Sequence, residues 1–139
     1  MLAPAPTQRD RVSMYSANAL KLGLFGANCS SGRAPTKVPE RWSASWEDCL
    51  ALAKMADAAG IDFMLPIGRW KGYGGDTDMH GETLETITWA TGLLGGTKRI
   101  TVFGTVHAPL FPFASGLSCL SIQSCAARLR GAGFRRPGR

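Results

Sequence analysis

The residues best able to do chemistry cluster in one short stretch. Arg69 and Lys71 flank Trp70, Tyr73 follows, and Gly72, Gly74 and Gly75 space them. Cations set beside flat rings suit an anionic, planar ligand, held by charge-assisted hydrogen bonds and stacking. The same set also suits a solvated loop anchored by its amphipathic side chains. Gly72-Tyr73-Gly74-Gly75 is no nucleotide fingerprint, because it lacks both the G-x-G-x-x-G spacing and the G-K-[ST] of a phosphate loop. His107 can donate to a developing oxyanion or shuttle a proton near neutral pH, although position alone favours a packed histidine with one satisfied nitrogen. His80, in a loop ahead of a helix, has less to recommend it. Cys29, Cys49, Cys119 and Cys125 form no C-x-x-C pair, and no histidine stands at zinc-ligand spacing, so four reduced thiols and no metal are expected. There is also no H-E-x-x-H, G-x-S-x-G or paired-carboxylate spacing.

These residues need elements to position them. Residues 20–25 (LKLGLF), 61–65 (IDFML) and 99–105 (RITVFGT) are short apolar runs that read as strands. Between the first two, Ser45 and Asp48 predict a capped helix start, and Gly60 predicts its C-terminal stop. Trp46, Cys49, Leu50, Ala53 and Ala56 or Asp57 make its apolar stripe. A second helix is predicted over 82–94, with Leu84, Ile87, Thr91 and Leu94 on one face and Gly95-Gly96 closing it. Trp46 and Trp89 read as core or interface residues. The order β-α-β-α-β leaves room for a helical crossover each time and predicts a parallel sheet, barrel or doubly wound. Chemistry then collects at the C-terminal strand ends, here 26–28, 66–75 and 105–111.

The chain has 139 residues, 45% hydrophobic and 19% charged, which fits a soluble globular domain rather than a disordered one. No run approaches the ~20 apolar residues of a membrane span, and Arg9, Asp10 and Arg11 interrupt any signal peptide, so a cytoplasmic location is expected. The net charge of +6 is unevenly placed: residues 1–113 hold 11 Lys/Arg against 10 Asp/Glu, whereas 114–139 hold five Arg and no acid. Three parts are therefore expected: a mobile tail over 1–19 with Met14 a candidate true start, an α/β part over 20–113, and an aberrant basic tail over 114–139. The basic tail can contact phosphates electrostatically, but it has one aromatic and no recognition fold, so nucleic acid is not the expected partner.

Residues 62–111 carry a more specific pattern: R-W-K-G-Y-G-G-D-T, then L-E-T-x-T-W-A-x-G-L, then T-K-R-I-T-V-F-G-T. In order and spacing this resembles the N-terminal part of bacterial luciferase-like, flavin-dependent monooxygenases, in the branch of pyrimidine and alkanesulfonate monooxygenases. The similarity runs over about residues 20–113. It implies a (β/α)8 TIM barrel, here its first three strands and two helices. It also implies an oxidoreductase that uses reduced FMN, supplied by a flavin reductase, and O2 to oxygenate or cleave a sulfonate, sulfone or heterocycle. Carried over by position, Gly68, Arg69 and Thr105 contact the flavin, Trp70 and Tyr73 lie on the substrate side, and His107 is the catalytic candidate. A homo-oligomer is implied for the full-length protein. After Phe113 the family pattern stops, where a helix and a G-R-F-G-x-N strand are due. A frameshift near 111–116 is the expected cause, leaving an inactive fragment. Three alternatives stay open: a deazaflavin-dependent oxidoreductase on the same fold, a non-enzymatic fragment pairing by its sheet edge, and nucleic-acid binding by the Arg tail.

Overall fold

The computed structural model describes residues 12–105, so His107 and the 114–139 tail lie outside the described residues. Three strands, β1 (Gly23–Phe25), β2 (Phe63–Leu65) and β3 (Thr101–Val102), form one parallel sheet in the order β1-β2-β3. Leu24 is in register with Met64, and Met64 with Val102. The ladder continues past the strand ends, where Gly26 N–H donates to Leu65 O at 2.9 Å and Phe103 N–H to Met64 O at 3.0 Å. Helices α1 (Trp46–Ala58) and α2 (Thr86–Gly96) provide the crossovers. The α/β class and parallel sheet expected from the sequence are thus present.

Local chemistry explains the bounds of α1. Ser45 Oγ accepts from Asp48 N–H at 3.1 Å, and Glu47 and Asp48 sit in the positive first turn. At the other end Ile61 N–H reaches Ala56 O at 3.0 Å and Gly60 N–H reaches Asp57 O at 3.3 Å, while Gly60 takes φ +80°. That pair of bonds is a Schellman stop, and it requires a residue tolerant of left-handed backbone.

α2 departs from expectation. It starts at Thr86 rather than 82, because Glu85 caps it and residues 82–84 pair instead with residues 28–30, in the segment that follows β1. Ser30 N–H donates to Glu82 O and Leu84 N–H to Asn28 O, both at 2.9 Å. The buried face is Thr86, Trp89, Ala90, Leu93 and Leu94, whereas Ile87 and Thr91 are exposed. Of the predicted stripe only Leu94 is buried there, because the bulk of Trp89 sets the face. Closure by Gly95-Gly96 also fails: both glycines lie within the helix, and Thr97 Oγ1 donates to Leu93 O at 3.0 Å at its end.

The core forms between the helices and one face of the sheet. Met64, Leu93, Ile100 and Val102 are fully buried and Trp89 is 2% exposed, packed against the small residues Cys49, Ala53 and Ala56 of α1. Asp57, at the last turn of α1, fixes the entry to β3: its carboxylate accepts from Lys98, Arg99 and Ile100 N–H at 2.6, 2.9 and 2.8 Å. Asp57→Ala removes three charge-assisted bonds together. It is expected to cost about 2–3 kcal/mol, read by urea denaturation. Within 12–19, Ser13 is buried, donates through its hydroxyl to Asp62 O, and donates through its backbone N–H to Arg99 O at 3.0 Å. That anchoring lies inside the segment expected to be mobile.

Candidate functional site

A parallel sheet leaves the C-terminal ends of its strands open, since each chain turns there into a loop and a helix. A cleft of about 360 Å³ sits at these ends. After β2, Gly68, Arg69, Trp70 and Lys71 form one wall. The returning limb, with His80, Gly81 and Thr83, forms the second, and the start of α2 and Thr105 after β3 close the third. Gly68, Arg69, Trp70 and Thr105, all singled out from sequence, are therefore brought together. Tyr73 joins them through its ring, which lies under the Arg69 guanidinium at 3.9 Å.

Asn28, at the end of β1, holds the walls in place. It is fully buried; its amide donates to Ile67 O at 2.9 Å and Leu84 O at 3.1 Å, and its Oδ1 accepts from Ile67 N–H at 2.8 Å. One side chain so clamps the exit of β2 to the approach of α2. The glycine-rich loop is closed by a tight crossing at Gly72, where a Cβ would stand 2.7 Å from Gly81 Cα and 2.8 Å from His80 O. Only glycine permits that approach of backbone to backbone.

His80 is the residue sequence reasoning undervalued. It is 1% exposed, takes φ +61°, and its Nε2 lies 2.6 Å from Gly32 O. Left-handed backbone in a non-glycine residue costs roughly 1–3 kcal/mol and persists where surrounding contacts enforce it. Here Ser30 O accepts His80 N–H at 3.1 Å. No sequence signal marks this burial, because Gly32 is 48 residues away. Three buried atoms of the cleft residues, His80 Nδ1, Arg69 Nε and Thr105 Oγ1, have no hydrogen-bond partner among the described residues. Native structures rarely leave such groups unpaired, and a ligand, an ion or ordered water can take up each one.

Glu85 sets the electrostatics at the start of α2. Its carboxylate accepts from Ile87 N–H at 2.9 Å and Thr88 N–H at 2.7 Å, so those amides are not free for an anionic ligand. Partial burial pushes the Glu85 pKa up, but hydrogen bonds from Ile87, Thr88 and Thr86 outweigh it and the net shift is downward. A depressed carboxylate contributes stability that is present above its ordinary pKa and is lost as pH falls through the lowered one. Glu85→Gln is therefore expected to narrow the stability difference from wild type as acid denaturation is approached. At neutral pH, Glu85→Ala should cost about 1 kcal/mol, as loss of a helix cap does. Denaturant titrations at several pH values check both. Cys29 and Cys49 are free and buried, and burial pushes both thiols up, which leaves them unreactive. Among the described residues no group of three metal-ligating side chains converges, and no helix is long and apolar enough to cross a membrane.

Comparison with known proteins bears on this cleft. The protein is 27% identical over 93 residues to a pyrimidine monooxygenase, RutA, of Acinetobacter baylyi, covering 67% of this chain and 25% of the relative. The chain is similar to pyrimidine monooxygenases. RutA of Methylobacterium radiotolerans is 27% identical over 103 residues, 74% of this chain and 27% of the relative. RutA of Caulobacter vibrioides is 27% identical over 93 residues, 67% of this chain and 26% of the relative. This chain thus spans about a quarter of the length of the pyrimidine monooxygenases it matches. No family model matches it. The resemblance carried by residues 62–111 is to this same branch, so that reading stands.

Proposed function

We propose that the chain is the N-terminal part of an FMN-dependent monooxygenase barrel acting on a small heterocycle, a pyrimidine by analogy with the names of its relatives. One observation carries the proposal. Gly68, Arg69, Trp70 and Thr105, chosen from sequence, line a single cleft at the C-terminal strand ends, where α/β folds place ligands. Reduced flavin, when bound, supplies the activation of O2, and a flavin reductase supplies the reduced form.

The residues present suit the ring of such a cofactor. Arg69 Nε and Thr105 Oγ1 are buried without partners among the described residues and can bind polar atoms at a ring edge, with Gly68 allowing close approach of the backbone. They do not suit its phosphate, because Glu85 already occupies the α2 amides. We assign the phosphate to parts of the barrel beyond these three strands. Trp70, 80% exposed, and Tyr73 stand at the mouth on the substrate side, where they can stack on a ring and exclude water. His107 keeps the catalytic role as a proposal, as a proton donor or shuttle. A cytoplasmic homo-oligomer is proposed for the whole barrel.

The test is to add the purified chain to FMN, then FMN with a flavin reductase, O2 and uracil. Saturable quenching of flavin fluorescence without reductase-dependent loss of uracil is the expected result, in line with an inactive fragment. Flavin fluorescence that never changes contradicts the cofactor assignment. Reductase-dependent loss of uracil contradicts the inactive-fragment reading and leaves the cofactor assignment intact.

A further inference from the structure

His80 has a hydrogen-bonding state fixed by its neighbours. Gly32 O can only accept, so the hydrogen on the imidazole belongs to Nε2, 2.6 Å away. In the neutral ring Nδ1 then carries a lone pair, and this atom is buried with no partner among the described residues. Arg69 Nε, in the same cleft, is the converse: a buried donor lacking an acceptor among the described residues. The walls therefore present an unused acceptor and an unused donor together.

Tyr73 shows how a ring fits between them. Its ring centroid is 5.6 Å from that of His80, and the Arg69 guanidinium lies 3.9 Å from its centroid. Yet Tyr73 is 59% exposed, so its ring can swing outward at little packing cost. With Arg69 and Lys71 set against the Glu85 carboxylate, the cleft carries charge of both signs and a bare anion is not a full complement. A neutral planar ring with an N–H beside a carbonyl is a good one.

We propose that His80 is a ligand-reading residue whose Nδ1 accepts a hydrogen bond from the ring N–H of a cyclic amide that takes the place of Tyr73, with Arg69 donating to the adjacent carbonyl. The inference rests on the cleft being the ligand site proposed above. Two ligands share this edge chemistry, a pyrimidine substrate and the flavin's own imide ring, and the experiment separates them.

The test uses the full 139-residue chain labelled with ¹⁵N at histidine, His80 being identified by the signal lost in His80→Gln. The free protein should show His80 as the Nε2–H tautomer with an unprotonated Nδ1. Uracil, FMN and 1,3-dimethyluracil, a ring without N–H, are then titrated separately, with amide shifts and flavin fluorescence reporting binding. An upfield, saturable movement of Nδ1 with uracil but not with 1,3-dimethyluracil assigns the edge to the substrate; movement with FMN alone assigns it to the cofactor. His80→Gln keeps a donor for Gly32 O but has no acceptor at the Nδ1 position, its amide Oε1 lying elsewhere, so it should bind the responding ligand about ten-fold more weakly with an unchanged circular dichroism spectrum. The wild-type comparison decides alone if that variant does not fold. Protonated Nδ1 in the free chain, equal movement with the methylated ring, or no movement with either ligand overturns the proposal. FMN quenching without any Nδ1 movement overturns it while sparing the flavin reading, whereas absence of both FMN and uracil binding overturns the two together.

Discussion

Asn28→Ala is expected to destabilise the protein by about 3–5 kcal/mol and to abolish ligand binding in the cleft, because it strands several buried backbone groups at once. The wild-type amide satisfies Ile67 N–H, Ile67 O and Leu84 O, and alanine can replace none of these bonds. The site is buried, so water cannot substitute without opening the fold. The effect reaches function because Ile67 leads directly into Gly68 and Arg69, while Leu84 precedes the Glu85 cap. Urea denaturation reads the first effect and flavin fluorescence the second. A variant with unchanged stability would mean that the walls are held by something other than this clamp.

Trp89→Ala should cost a similar amount, about 3–5 kcal/mol, through the cavity left by the largest fully enclosed side chain of the core. Its neighbours cannot collapse onto the gap, since Ala53 and Ala56 of α1 and Ala90 beside it are already small. Thr91→Ala, on the exposed face of the same helix, should change stability by no more than about 0.5 kcal/mol. Denaturant titration of the pair tests which face of α2 is inward. Equal losses would restore the face predicted from apolar spacing.

What could be read from the sequence was what neighbours decide. Ser45 and Gly60 bound α1 by bonds that span at most a few residues, so a hydroxyl before an apolar stripe and a glycine after it were enough. The cleft was legible for a different reason: parallel strands have one end at which ligands can gather, and Arg69, Trp70 and Thr105 sit just past such ends. Long-range contacts were not legible. Asn28 meets partners 39 and 56 residues away, and nothing in its local sequence announces the clamp. His80 looked ordinary because its burial depends on Gly32 and Ser30 in another loop. The face of α2 was missed because counting apolar positions gives Ile87 and Leu84 the same weight as Trp89, whereas volume decides which side packs. The early start predicted for that helix fails for a related reason, since residues 82–84 find backbone partners in the segment after β1 that local propensity cannot weigh.

The central claim is that the strand-end cleft binds the flavin ring. It is tested most directly by titrating FMN into the ¹⁵N-labelled chain and following the backbone amides. Saturable shifts at Gly68, Arg69, Trp70 and Thr105, with Lys54 and Met55 on the outer face of α1 unmoved, are the predicted result. No shifts, or shifts scattered over both faces of the molecule, would contradict it.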